Sequence, residues 1–475
     1  MTNSLNDLMA KKASLPPTCI VIFGGTGDLA ETKLYPALLD LYAHGALPNN
    51  FRIIGISRKS LSPFQYLEFV RNSLEKKIGS YERGVVEQFT RHVEYRSGDF
   101  NEAKTYSDLL SLLKNFDDEV KQCTNKLFYL AVPPQLYSGI FKNLAESGLM
   151  STCDGLLSWA RVLVEKPFGR DLMTAQLLEE ELCSRFTEEQ IYRIDHYLAK
   201  DSIENIIALR FANTVLSDSW HNGQVESIAI RLLEKKDVAN RGSFYDGVGA
   251  LRDVGQNHVL QILALLTMAP SEISSVGVIR AARAEVLENL LPPSYVIKGQ
   301  YKDFTQTAGV SPDSTTETYF KIETELAGAR WSGVPITLEA GKALDRNINE
   351  VVVTFRPQVN WQQKTEPHVK DHRNVLTMQF SPEQRITLSV WVKKPGFAFA
   401  LEERVLELTR SEGEDAYSPE AYERVLYDCI SGDQTRFVSG DEVMAAWKFI
   451  TPLLETASVP LTLYEAGTAG PGYNK

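Results

Sequence analysis

The chain has little of what would mark it as secreted, metal-stapled or membrane-spanning. Five cysteines (Cys19, Cys123, Cys153, Cys183 and Cys429) stand in 475 residues with no short paired spacing. That pattern argues against a zinc site or a disulfide framework and fits a reducing compartment. Long apolar runs are missing too. Runs such as Cys19–Phe23 and Ile262–Leu266 fall far short of a membrane span. Residues 1–17 carry Lys11 and Lys12 but no apolar stretch of the kind a signal peptide needs, and read as a loose polar arm. A cytoplasmic protein is expected. Positive charge is in deficit, the net being −11, so neither nucleic acid nor a membrane surface is an expected partner. Against that background an anionic substrate needs cations gathered around a few motifs.

What is present divides the chain in two. At 475 residues it exceeds one ordinary core. Strand-like runs Thr18–Phe23, Phe51–Ser57, Lys126–Val132 and Arg161–Glu165 alternate with helical stretches such as Glu31–His44 and Ser62–Lys77. This alternation predicts a parallel sheet with helices on its faces. After about residue 200, long strand candidates dominate: Val225–Leu233, Thr316–Thr324, Glu350–Phe355, Val375–Phe380, Arg385–Val392 and Val405–Leu408. An apolar helix, roughly Asp253–Met268, lies among them, and Pro292–Asp313 reads as a loop with little sheet of its own. The expected architecture is an α/β Rossmann-like domain over 1–195, then a larger α+β domain with a mostly antiparallel sheet over 196–475.

Directly after the first strand comes Gly24-Gly25-Thr26-Gly27-Asp28-Leu29-Ala30, and a helix follows. Positions without side chains let the backbone approach a pyrophosphate at a helix N-terminus, where free N–H groups favour an anion. A glycine turn also serves ordinary packing, and the spacing departs from the strict G-x-G-x-x-G form. The second strand runs into Ser57-Arg58-Lys59 with no carboxylate. A guanidinium there suits the 2′-phosphate of NADP, whereas an acidic residue would receive the ribose of NAD; alone it could be a surface basic turn, but joined to the glycine turn it favours NADP. Pro133, within Ala131–Pro134 at the end of a later strand, falls along the same crevice.

Three further motifs carry chemistry. Lys166, in Glu165-Lys166-Pro167-Phe168-Gly169, stands at the C-terminal end of a parallel strand, where side chains face the crevice; a surface lysine in a turn is the alternative. In Arg193–Lys200, a helix opened by Asp195 would put His196 and Lys200 four apart on one face, with Tyr197 beside them; together they can hold a phosphate monoester. The competing reading is a capping Asp with a solvated Lys. His258 closes the segment Arg252–His258 at the head of the apolar helix and is one of only seven histidines. Taking a hydride from a carbon that bears a hydroxyl requires a base for the hydroxyl proton, which suits His258, and Asp195 is the candidate carboxylate to orient it. A histidine bonded within the core is the alternative.

Taken together, Gly24–Ala30, Glu165–Leu172, Gln190–Asp201, Arg241–His258, Arg330–Leu344 and Ala421–Leu454 resemble the glucose-6-phosphate dehydrogenase family along nearly the whole chain. The resemblance implies oxidation of glucose 6-phosphate at carbon one, with the hydride going to NADP, as the first step of the oxidative pentose phosphate pathway. It implies His258 as the base oriented by Asp195, and His196, Tyr197 and Lys200 on the sugar phosphate. Lys166 would lie between sugar and nicotinamide, and Glu234, Asp253 and Lys342 would bind sugar hydroxyls or shape the pocket. Gly24, Gly25, Thr26, Gly27, Asp28, Leu29, Arg58 and Pro133 would serve the cofactor. The resemblance also implies assembly as a dimer or tetramer, as is usual in the family. One position departs: five residues past Lys342, where many relatives carry a cation, stands Asn347, with Arg346 one place earlier; either Arg346 takes over the contact through a shifted turn, or phosphate binding has one charge fewer. A dehydrogenase of another hexose phosphate and a non-catalytic NADP-binding sensor are the competing readings.

Overall fold

The computed structural model describes residues 15–78, 81–151, 158–269, 276–357, 372–397, 400–409, 417–455 and 459–471. The chain forms two compact units. The first is Met1–Gly169 with Met173–Ala199 and Ser418–Gly440; the second is Arg170–Leu172 with Lys200–Tyr417 and Asp441–Lys475. The first unit thus takes back a segment from far along the chain, which a single division at 195/196 does not contain.

In the first unit six strands run parallel: β1 (Thr18–Phe23), β2 (Phe51–Ser57), β3 (Val93–Ser97), β4 (Asn125–Leu130), β5 (Ala160–Glu165) and β6 (Ile191–Ile194). Their order is β6-β5-β4-β1-β2-β3, with the short strand Phe437–Val438 antiparallel on β6. Every residue of β1 and β4 is buried, as expected where helices cover both faces of a parallel sheet. The chain leaves β1 toward β2 and β3, then returns to β4 on the opposite side of β1. That reversal opens a crevice at the carboxyl ends of the strands, where open α/β sheets bind ligands.

The second unit is built on nine strands: β7 (Val225–Leu233), β8 (Tyr295–Tyr301), β9 (Tyr319–Thr324), β10 (Ile336–Gly341), β11 (Ile348–Phe355), β12 (Val375–Ser381), β13 (Arg385–Lys393), β14 (Leu401–Thr409) and β15 (Leu461–Tyr464). Their order is β14-β13-β12-β11-β7-β10-β9-β8-β15. Pairing is antiparallel except for β7 with β10 and β8 with β15. Strand β12 shows why the sheet forms: Leu376, Met378 and Phe380 are buried while their neighbours are half-exposed, the two-residue period of a one-sided sheet. The mostly antiparallel sheet agrees with the sequence expectation. Pro292–Asp313 does not: it contains β8. Its Tyr295-Val296-Ile297 stretch has β-forming residues, but Pro292 and Pro293 just before it disguise the strand.

The apolar helix also differs in detail. Leu251–Val259 is wound as a π-helix and continues into α1 (Leu260–Thr267), all eight of whose residues are buried. A helix end so deep needs partners for its last carbonyls. Arg210 donates to the Leu265 and Met268 oxygens at 2.6 Å, and the Trp220 and Trp331 indoles donate to Leu266 and Thr267 at 2.6 and 2.7 Å. Gly255 packs closely, a Cβ there lying 3.1 Å from the Phe320 ring. Among the cysteines, Cys19, Cys183 and Cys429 are free, while Cys123 is disulfide-bonded. The scattered spacing gave no sign of that bond. No helix among the described residues is long and apolar enough to cross a membrane.

Candidate active site

The glycine turn sits at the reversal point of the first unit. Gly24 has φ +86°, and a Cβ on it would lie 2.9 Å from the Ala131 carbonyl carbon, so the turn and the end of β4 touch backbone to backbone. Gly24 and Gly25 both donate to the Ile56 oxygen of β2, at 2.9 and 3.0 Å. Beneath the turn, the buried Tyr35 and Tyr66 phenols bond each other, and Tyr35 donates to the Gly25 oxygen at 2.7 Å. A methyl at Gly55 would lie 2.5 Å from Tyr66 Cζ, which explains a glycine in the middle of β2. The helix after the turn begins as a π-helical Ala30–Leu34 and becomes α-helical over Tyr35–Ala43. Thr26, Gly27 and Leu29 are half-buried and Asp28 is exposed at its head. Across the crevice, the Ser57 hydroxyl bonds Tyr95 at 2.7 Å and Arg58 is exposed. Pro133 is exposed just past β4. A tight side-chain-free turn with a free guanidinium-bearing strand end and no acidic residue after β2 fits NADP.

At the ends of β5 and β6 the first unit gathers a second group. Arg193 of β6 is fully buried between Glu179, at 2.6 and 2.9 Å, and Glu188, at 2.8 and 3.0 Å. Two residues on, Asp195 accepts from the Tyr197 N–H at 3.0 Å while its carbonyl takes the Leu198 N–H at 3.0 Å, an aspartate-closed turn. Sequence reading placed His196 and Lys200 on one helix face. The structure instead makes 196–199 this turn, and Lys200 is the N-cap of the helix Asp201–Phe211, so the i, i+4 argument does not apply. The His196 ring lies nearly parallel to that of Tyr422, centroids 6.4 Å apart. Glu165, just before Lys166, is half-buried, and desolvation pushes its carboxyl up; bonds from Tyr129 and Tyr422 and the Lys166 charge pull it down, and Asp195 pushes it further up. Tyr129 donates at 2.5 Å. Glu165 and Tyr422 are members of this group that sequence reading did not single out. Glu165 stood inside a quoted motif; nothing local pointed to Tyr422, which arrives on the returning segment.

The second unit forms a third group where β7 and β10 end side by side. Glu234 donates its N–H to the Gly341 oxygen at 2.9 Å, and its carbonyl accepts from Leu344 at 3.0 Å. This tie brings Lys342 Nζ to 2.9 Å from Glu234 Oε2. The same ammonium stands 5.6 Å from the centre of the Tyr245 ring. Asp253 is in the first turn of the π-helical segment and the buried His258 in its last. Arg346 is held by its neighbour Asp345 through two bonds, 2.8 and 3.2 Å, and Asp345's carboxyl is lowered by them.

Known proteins resemble the chain along nearly its whole length. A family profile described as the NAD binding domain of glucose-6-phosphate dehydrogenase matches residues 21–205, and one for its C-terminal domain matches 207–475. Similar relatives include glucose-6-phosphate 1-dehydrogenases of Aggregatibacter actinomycetemcomitans, 37% identical over 95% of this chain and 94% of the relative, and of Bacillus subtilis, 35% identical over 96% and 95%. A cytoplasmic isoform from Solanum tuberosum is 33% identical over 98% of this chain and 92% of its own length. A solved glucose-6-phosphate dehydrogenase in complex with its substrate glucose-6-phosphate superimposes with a TM-score of 0.89 at 34% identity, covering 96% of this chain and 95% of that one. The chain therefore belongs to the glucose-6-phosphate dehydrogenase family.

Proposed function

We propose that this chain oxidises glucose 6-phosphate at carbon one to the 1,5-lactone. The observation that carries the reading is the buried His258 on the same segment as Asp253, whose charge falls on the Tyr245 phenol together with that of Glu234, the partner of Lys342. NADP supplies the hydride acceptor. His258 takes the proton of the carbon-one hydroxyl as the hydride leaves, and Asp195 holds the imidazole in the accepting tautomer and stabilises the imidazolium. His196, Tyr197 and Lys200 hold the phosphate; Glu234, Asp253 and Lys342 hold sugar hydroxyls. Lys166, at the end of β5, lies between sugar and nicotinamide. Gly24, Gly25, Thr26, Gly27, Asp28 and Leu29 take the pyrophosphate, Pro133 borders it, and Arg58 takes the 2′-phosphate. Arg346 supplies the cation that Asn347 lacks. Reduction of NADP by the purified protein with glucose 6-phosphate tests the activity. His258→Asn should lower turnover by roughly two to four orders of magnitude with NADP binding unchanged; near-normal turnover sinks the assignment.

The working form is a homo-oligomer in the cytoplasm. In support, β14 lies at the sheet edge with Val405, Leu406 and Leu408 58–65% exposed. Such an edge is an aggregation hazard for a lone chain and a natural interface for a pair. Sedimentation should give a dimer or larger, and Leu406→Glu should shift it toward monomer; a parent that sediments as a monomer refutes this.

A further inference from the structure

One phenol in the second unit is out of keeping with its neighbours. Tyr245 shares an aromatic cluster with Tyr301, Tyr319 and Tyr464. In that cluster Tyr464 bonds the Lys342 oxygen at 2.7 Å and Thr318 at 2.9 Å, Tyr319 donates to Glu339 at 2.8 Å, and Tyr301 accepts from the Val238 N–H at 3.4 Å. The Tyr245 hydroxyl alone has no hydrogen-bond partner among the described residues, although the residue is only 2% exposed. A buried O–H left unpaired is a standing cost, and a phenylalanine would avoid it.

The hydroxyl is also well placed. Burial, and after it the charges of Asp253, Glu317 and Glu234, hold the phenol protonated, and Lys342 stands over the ring. Three of these residues, Asp253, Glu234 and Lys342, are the ones read above as holding the sugar. The backbone that follows the ring is tied down. Asp246, next in sequence, takes Ser311 N–H at 2.9 Å and Thr316 Oγ1 at 2.9 Å, and Gly247 N–H donates to Thr316 Oγ1 at 2.8 Å. Ala250 and Leu251 then dock on Glu317, each at 3.0 Å. Fixed backbone on this side and an unpaired donor amid carboxylates describe a contact waiting for a polyhydroxylated ligand.

We propose that the Tyr245 hydroxyl hydrogen-bonds one ring hydroxyl of the hexose and helps set which sugar phosphate the enzyme accepts. The inference rests on the reading that Glu234, Asp253 and Lys342 hold the sugar.

The test compares kcat/KM of the parent and Tyr245→Phe on glucose 6-phosphate and its 2-, 3- and 4-deoxy analogues. The contact predicts a loss of about three- to tenfold on glucose 6-phosphate, and no loss on the one analogue that lacks the partner hydroxyl. The KM for NADP should be unchanged, and the melting temperature of the free variant should be no lower than the parent's. Equal losses on all four sugars, or none on any, overturn the contact while leaving the activity intact. A parent inactive on all four sinks the sugar site and the contact with it.

Discussion

Placing one methyl group on Gly24 should damage cofactor binding more than anything else in the enzyme. Two costs can be read off the turn. The backbone there has φ +86°, a left-handed conformation that costs a residue with a side chain about 1–2 kcal/mol. The added Cβ would also lie 2.9 Å from the Ala131 carbonyl carbon and 3.0 Å from Val132 Cγ1. The first of these is backbone and cannot rotate aside, so overpacking of about 1–3 kcal/mol is expected. The sum is about 2–5 kcal/mol. The free protein relieves part of it by letting the turn lift away from β4, into the crevice; the complex with NADP cannot. Gly24→Ala should therefore lower the melting temperature and weaken NADPH, followed by fluorescence titration, by about ten- to a hundredfold. Binding of glucose 6-phosphate without cofactor should change little. An NADPH affinity within twofold of the parent, with an unchanged melting temperature, would refute the account of the turn.

Two other perturbations follow from the structure. Arg58→Ala should raise the KM for NADP about tenfold or more, the scale of a lost charge-assisted bond, while NAD usage stays level; equal losses for the two cofactors would make Arg58 structural. Glu423 is buried, and burial, with Asp40's charge adding to it, pushes its carboxyl from the usual 4.5 up to about 7. Its folded form holds the proton longer than the unfolded form does, so its contribution is fully present below about pH 4.5 and is lost as pH rises through 7. Glu423→Gln, which can keep the bond from the Glu420 N–H, should match the parent at pH 4.5 and exceed it at pH 8 by up to about 3 kcal/mol. Parallel stability profiles for the two proteins would exclude the shift.

Much of the site was legible because its parts are local. Gly24, Gly25 and Gly27 follow a strand at its own C-terminal end, and the Ser57-Arg58 end of β2 is read straight from the missing carboxylate. β1, β2 and β7 have the bounds expected from their apolar runs. What escaped is non-local. Tyr422 reaches Glu165 only because Ser418–Gly440 rejoins the first unit, and no pattern near residue 422 encodes that return. The π-helical winding of Leu251–Val259 cannot be told from α-helix by apolar spacing over so short a stretch. The expected helix at Asp195–Lys200 gives way because one oxygen of the Asp195 carboxylate closes a turn, competing with helical bonding as short polar side chains do.

That turn also explains why a buried ion cluster stands immediately before it. Arg193 and Asp195 are two apart, and in the sequence they read as one motif of equal members. In the fold they do different work. Arg193 is the penultimate residue of β6 and is 0% exposed, its guanidinium occupied on one side by Glu179 and on the other by Glu188. A one-residue slip of β6 against β5 would send the side chain of Arg193 to the opposite face of the sheet and leave Glu179 buried without its cation. Breaking such a pair costs about 3–5 kcal/mol, even though an apolar replacement of the whole cluster could be as stable. The cluster is therefore better understood as fixing register than as adding stability. It holds the end of β6 where Asp195 must begin its turn, beside Glu165 and Lys166 at the end of β5.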